Sequence, residues 1–311
     1  MDEKDRVEER LATLQRVLDG LMQRYQQRVP DVGRLVRVMQ NEGLIASPAE
    51  IENDHIAFRT MGVAPLGIQS LEKIFLHYGY QRRDFYTFTE KKLNAFWYHP
   101  PRETFPRIFI SELRVAELSA EAQHLIRSYT GDVVTDPVAS LDLDNAEAVD
   151  RFLHQALWHL PTWHDYQQLQ AESEYAAWVI YNRYYLNHFT IAVHNLPDGY
   201  NTIPDFNAFL ERHGFQLNQA GGKVKISPDG KLLQSATVAQ MVTARFAEGD
   251  EHSIAGSYVE FAERRPLDEF LHLPANQLRR EHRREGFETN NANTIFESTY
   301  SSQTHEKETT N

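Results

Sequence analysis

The chain has no cysteine among its 311 residues. No disulfide can staple it, and thiolate zinc and iron–sulfur chemistry are excluded, so any metal would be held by His, Asp, Glu or carbonyl groups. A hydrophobic run long enough to cross a bilayer is also missing. The first residues, MDEKDRVEER, are charged where a secretory leader would carry a basic start and an apolar stretch, and the expectation is a cytoplasmic protein. Basic residues are in deficit, 32 Lys and Arg against 44 Asp and Glu, for a net charge of -12. Such a surface repels phosphate backbones and anionic lipid, which argues against nucleic-acid and membrane partners but leaves room for a local basic pocket.

What is present is material for a core: 41% hydrophobic and 11% aromatic residues, enough for one large integrated domain. Val7, Leu11, Leu14, Leu18, Leu21 and Tyr25 recur at spacings of three and four, which predicts an amphipathic helix over 4–28. A second helix follows Pro30 and stops near Gly43, completing an N-terminal helical segment, 1–50. Residues 51–113 then read as strand, helix and three strands: HIAFRTMG, GIQSLEKIFLHYGY, RRDFYTFT, LNAFWYHP and PRIFISEL. Helical patterning over 114–187 reads as an insertion.

After it the first texture returns over 188–265, with LNHFTIAVHNL as a strand, IPDFNAFLERHGFQ as a helix, KVKISPDGKLLQSATVA as two strands and GSYVEFAERR as the last. Beyond Pro266 lies a polar C-terminal extension, 266–311, whose end reads as a flexible tail.

The two strand-rich segments are copies of each other. SLEKIFLHYGYQ lines up with DFNAFLERHGFQ, matching Gly79 with Gly214, and DHIAF lines up with NHFTI, matching His55 with His188. The expected fold is therefore α+β: two βαβββ units forming a curved sheet around a cavity. Equivalent first strands would bring His55 and His188 into that cavity. Glu260 shares a strand face with Tyr258 and Ala262, so a final strand facing inward adds one carboxylate. Two histidines and a carboxylate suit ferrous iron with open positions, and can equally hold manganese or zinc.

NDHIAFRT, NHFTIAV and GSYVEFAERR, set in two βαβββ units, resemble the vicinal-oxygen-chelate superfamily. More closely, over residues from about 10 to 270, they resemble the 2-oxoadipate dioxygenase/decarboxylase family, also called hydroxyglutarate synthase. The resemblance implies Fe(II) as cofactor, held by a catalytic set of His55, His188 and Glu260. It implies substrate contacts at His55, Arg59 and His188, with Arg59 taking a carboxylate. A 2-oxo acid and O2 are the implied partners, and the family's product from 2-oxoadipate is 2-hydroxyglutarate with loss of CO2. Arg59 shares the strand face of His55 and would stand in the same cavity.

Other readings stay open beside it: a zinc or manganese isomerase, lyase or hydrolase on the same scaffold, or a binding protein without chemistry. Glu112 is read as the first unit's counterpart of Glu260 and is left outside the metal set. His154, His159 and His164, spaced by five, do not stack on one helix face and are read as packing or surface residues. His194 is an even number of residues from His188 and is given little weight as a ligand. RREHRREG, 279–286, is read as a solvated helix face. Arg59 paired at the surface with Asp54 or Glu52 is the plain alternative to its role in substrate binding.

Overall fold

The computed structural model describes residues 3–304. It opens with α1 (Glu3–Arg28) and α2 (Pro30–Asn41). Leu11, Leu14, Leu18, Leu21 and Tyr25 form the buried stripe of α1, while Val7 is 46% exposed, so the packed face begins one turn later than the spacing predicts. Pro30 starts α2 where its missing N–H costs nothing, and Gly43, at φ +73°, takes the left-handed conformation that ends it.

The first unit is β1 (Asn53–Met61), α3 (Ile68–His77), β2 (Gln81–Phe88), β3 (Leu93–His99) and β4 (Arg107–Leu113). The insertion is helical: α4 (Ala120–Thr130), α5 (Ala146–His154), α6 (Trp163–Glu172) and α7 (Glu174–Asn182). Each of these helices is started by a side chain, Ser119, Asn145, Thr162 or Ser173, that accepts the amide three residues on. The second unit is β5 (His188–Ala192), α8 (Ile203–Arg212), β6 (Lys225–Ile226), β7 (Leu232–Ala236), a hairpin of β8 (Met241–Arg245) and β9 (Glu251–Ala255), and β10 (Tyr258–Arg264). Two short helices follow, α9 (Thr289–Ile295) and α10 (Ser301–Thr304). The hairpin occupies 241–255, a stretch for which the sequence pattern predicts no element.

Eight strands make one sheet in the order β2-β3-β4-β1-β5-β10-β7-β6. Outward from the central β1–β5 pair, each half repeats the same order, so the two units are joined edge to edge by their first strands. Their helices pack alike on the reverse face, Phe75 of α3 against Phe58 at 5.5 Å and Phe206 of α8 against Phe261 at 5.2 Å.

The register corrects one expectation. His55 faces Arg107 on β4 as His188 faces Tyr258 on β10, so Phe109 matches Glu260, and Glu112 matches Glu263. Those two glutamates act alike, since Glu112 accepts the N–H of Ile68 at 3.0 Å and Glu263 that of Ile203 at 2.8 Å. Each satisfies an orphan amide at the start of its unit's helix and complements the helix dipole there. Glu112 is a helix cap, and the first unit has no carboxylate where the second has Glu260.

The expected flexible tail is also corrected. Phe287, Asn291, Phe296, Ser298, Thr299 and Thr304 are buried, and their segment lies over the triad-bearing face of the sheet. Residues 305–311 lie outside the described residues.

Candidate metal centre

The β1–β5 ladder is antiparallel, with His55 opposite Thr190 and Ala57 opposite His188. Residues facing each other across a ladder share a sheet face, so both imidazoles lie on one side. β10 runs parallel to β5 with Glu260 beside Thr190, which places the carboxylate between the rings. One ligand atom from each of His55, His188 and Glu260 lies within 4.8 Å of the others. Glu260 Oε2 is 3.0 Å from His188 Nε2 and its Oε1 is 3.4 Å from His55 Nε2. All three are buried, His188 being the most exposed at 6%.

Each ring is aimed by the residue that precedes it. Asp54 Oδ1 accepts from His55 Nδ1 at 2.8 Å, and Asn187 Oδ1 from His188 Nδ1 at 3.0 Å. With Nδ1 engaged as the donor, Nε2 of each ring keeps its lone pair for the shared centre, the arrangement that fixes metal-binding histidines elsewhere. Adjacent strand residues ordinarily point to opposite faces. Asp54 reaches its neighbour because the β1–β5 register shifts between Asn53 and His55. Sequence reasoning misses these partners, although DHIAF set on NHFTI displays them in equivalent places.

Asp54 is itself buried between cations. Arg264 donates to it from Nε at 2.7 Å and Nη2 at 3.0 Å, and Arg107 from Nη1 at 3.2 Å. Arg107 also pairs with Glu285. Burial alone would raise the Asp54 pKa, but Arg264 and Arg107 outweigh it and hold the carboxyl well below its ordinary value. The surface pairing of Asp54 with Arg59 is thereby excluded.

Glu260 is fixed from its other side by Gln234, whose Nε2 donates to Oε1 at 2.7 Å, while Asn291 Nδ2 donates to Gln234 Oε1 at 3.0 Å. Burial would raise the pKa of Glu260, but His55 and His188 bring it down to about 2. Burial lowers His188, leaving its lone pair available, whereas His55, despite burial, is raised by Glu260 and Asp54. An ionised carboxylate, a neutral imidazole and a second imidazole that favours nearby positive charge fit a divalent cation.

Arg59 lies on the same face, 1% exposed. Its Nη1 donates to Thr299 Oγ1 at 2.9 Å and its Nη2 to the Phe296 carbonyl at 3.0 Å, while Nε has no partner. The guanidinium sits 5.2 Å from the rings of both Tyr175 and Trp178. Tyr258 stacks on His188 at 4.8 Å, and its buried hydroxyl faces the Arg59 guanidinium. Phe287 meets His55 edge-on at 4.8 Å and Phe109 at 4.9 Å, closing the apolar wall.

The remaining sequence candidates fall elsewhere. His154 lies by Asp150, His159 stacks on Tyr129 and His164 is in the first turn of α6, so they form no cluster. His194 is in a turn after β5 rather than on the strand face of His188. RREHRREG is not a solvated helix face: Arg280–His282 is a single short turn, Arg280 is largely buried and Glu285 pairs with Arg107.

A family model described as 2-oxoadipate dioxygenase/decarboxylase matches residues 17–272. The chain is similar to the chloroplastic 2-oxoadipate dioxygenase/decarboxylase of Arabidopsis thaliana, 43% identical over 261 residues, which cover 80% of this chain and 68% of that one. Among solved structures it is similar to the hydroxyglutarate synthase of Oryza sativa in complex with 2-oxoadipate, with a TM-score of 0.83, 40% identity and 92% of each chain covered. It shares its fold with a protein of Ralstonia eutropha described as belonging to the glyoxalase superfamily, with a TM-score of 0.67 and 20% identity over 86% of this chain and 83% of that one. The fold is that of the vicinal-oxygen-chelate proteins, as the repeat implies.

One expectation is overturned by these relatives. The Arabidopsis protein is chloroplastic by name, so the cytoplasmic assignment is withdrawn. Transit segments are amphipathic and need no apolar stretch, and a charged start therefore does not speak for the cytoplasm. Among the described residues, no helix is long and apolar enough to cross a membrane.

Proposed function

The chain belongs to the 2-oxoadipate dioxygenase/decarboxylase family, and from that premise we propose that it converts 2-oxoadipate and O2 to 2-hydroxyglutarate and CO2, using Fe(II) held by His55, His188 and Glu260. The observation that carries this is the buried set of two aimed imidazoles and one ionised carboxylate within 4.8 Å, beside a buried guanidinium, Arg59, whose Nε lacks a partner.

When bound, iron supplies open positions at which the 2-oxo acid and O2 can meet and exchange electrons. The chain's own residues arrange the rest. Asp54 and Asn187 hold the rings so that Nε2 faces inward. Gln234 fixes the rotation of the Glu260 carboxylate, leaving Oε2 toward His188. Arg59 takes the substrate's far carboxylate, a planar fork matched to a two-oxygen anion, in a space where burial strengthens the pairing. Its present contacts, a hydroxyl and a carbonyl, are neutral acceptors that a carboxylate can outbid. Phe109, Phe287 and Phe296 keep bulk water from a strongly oxidising step.

The oxo acid is both reductant and substrate, so no second 2-oxo acid is consumed. Atoms balance: the C1 carboxylate leaves as CO2, one oxygen atom enters the new carboxylate and the other the new hydroxyl. The test is oxygen uptake by anaerobically iron-loaded protein given 2-oxoadipate, with His188→Ala alongside. Uptake matched one-to-one by CO2 release, and absent in the variant, supports the proposal. Bound iron without uptake on any 2-oxo acid overturns it and leaves a Lewis-acid or binding role.

A further inference from the structure

Behind the sheet, on the face opposite the triad, lies a cavity of about 950 Å³. Its floor includes Ile56, Phe189 and Val259, each the strand neighbour of a metal-centre residue and pointing the other way. Its roof includes Leu18 and Met22 of α1 and Val36 of α2. The volume is that of a site for a small organic molecule.

One end of the cavity is basic. Arg279, Arg280 and Arg283 come from RREHRREG, the motif that the metal centre leaves unexplained, and His194 comes from the turn after β5. Arg280 is the notable member. Its side chain is 9% exposed. Nη1 donates to the carbonyls of Glu103 and Phe105, both at 2.8 Å, but Nε and Nη2 are buried without an acceptor, and the nearest carboxylate, Glu285, is 3.8 Å from Nε. His194 Nδ1 lies between the Arg264 amide, 3.2 Å away, and the Ala262 carbonyl, 3.4 Å away.

Acidic side chains also border the cavity: Asp19, Glu50 and Glu103 are exposed to water, whereas Glu52 is partly withdrawn from it, which raises its pKa, and its charge lies near those of Arg280 and Arg283. Asp19, Glu50 and Glu52 accept from Gln15, Ala46 and Asn195 respectively. The carboxylates in water are screened, and Glu52, engaged by Asn195, leaves Arg280 Nε and Nη2 without a hydrogen-bond acceptor. The lining is mixed, and its apolar part, with Leu18, Leu35, Ile56, Phe105, Phe189 and Val259, would be left uncovered by a compact inorganic anion.

We propose that this cavity is a second ligand site, separate from the metal centre, for a carboxylate carrying an apolar chain. The carboxylate sits on Arg280 and Arg283, and the chain lies between α1 and the backs of β1, β5 and β10. The metal-ligand cluster found among the described residues, His55, His188 and Glu260, lies on the opposite face of the sheet, and the role proposed for this space is binding.

The test is calorimetric titration of the metal-free protein with octanoate, with octanol and inorganic phosphate as controls. Two variants decide it: Arg280→Met removes the buried cation, and Met22→Trp fills the space from α1. The expected result is saturable one-to-one octanoate binding, weakened about tenfold or more by Arg280→Met and lost in Met22→Trp, with wild-type melting retained by at least one of them. Octanol or phosphate binding as tightly as octanoate would remove the recognition proposed. Octanoate failing to bind, or binding equally to wild type and a folded variant, would remove the site.

Discussion

Asp54 and Asn187 stand at the same place in the two repeats, and each holds Nδ1 of the histidine that follows it. One partner is charged and the other neutral, so the two imidazoles are not equivalent. Asp54→Asn should weaken iron binding by about 10–100-fold, the usual effect of removing such a partner. It should also cost about 3–5 kcal/mol of stability, because Arg107 and Arg264 lose a buried counter-charge. Asn187→Ser should do less on both counts. Metal titration and chemical denaturation check this, and an Asp54→Asn protein unchanged in both would contradict it.

Gln234 is 2.7 Å from Glu260 through a neutral donor. Gln234→Glu would set two carboxylates against each other, and like charges so close cannot both ionise. The expected outcome is a variant that gives up its metal at a higher pH than wild type does, measured by metal titration across pH 5–8. Gln234→Leu, which adds no charge, should leave that pH dependence where it was.

Arg59 is proposed to read the far carboxylate, so its loss should fall on selectivity. Arg59→Met should raise the KM for 2-oxoadipate by at least about tenfold, while the KM for 2-oxohexanoate, which lacks that carboxylate, changes little. Arg59→Lys should recover only part of the preference, because an ammonium cannot pair with two oxygens in a fixed fork. Steady-state oxygen uptake with the two acids measures this directly.

His194 gives the protein a pH-dependent stability. Burial, with help from Arg283, presses its pKa down to about 3, against an ordinary value near 6.5 in the unfolded chain. Between those values the unfolded state binds a proton that the folded state refuses. Stability from this group is therefore complete above about pH 6.5 and is lost as pH falls toward 3, a loss on the order of a few kcal/mol. His194→Asn, whose amide oxygen can still accept the Arg264 N–H, should show a smaller drop in urea midpoint between pH 7 and pH 4.5 than wild type.

The duplication and the histidine pair are legible in the sequence because they rest on local signals. Gly79 and Gly214 end equivalent helices at φ +93° and +72°, and His55 and His188 precede them by 24 and 26 residues. What stays hidden depends on pairing between distant strands. Residue type matches Glu112 to Glu260, whereas the ladder matches it to Glu263 and assigns it to a helix start. Asp54 reaches His55 only through a register shift that no periodicity displays.

The C-terminal segment and RREHRREG mislead for a shared reason: their polarity reads as solvation. Asn291 spends its amide on Gln234 and Thr299 its hydroxyl on Arg59, both away from bulk water, and Arg280 turns its Nη1 to the carbonyls of Glu103 and Phe105. Polar residues facing a buried polar site read, by composition alone, like residues facing solvent.

The most direct measurement is turnover of 2-oxoadipate by iron-loaded protein under ¹⁸O2, with mass spectrometry of the product. The proposed chemistry predicts 2-hydroxyglutarate bearing both labelled atoms, one in the new carboxylate and one in the hydroxyl. A 2-hydroxyglutarate product free of label, or 2-oxoadipate recovered intact, would contradict it.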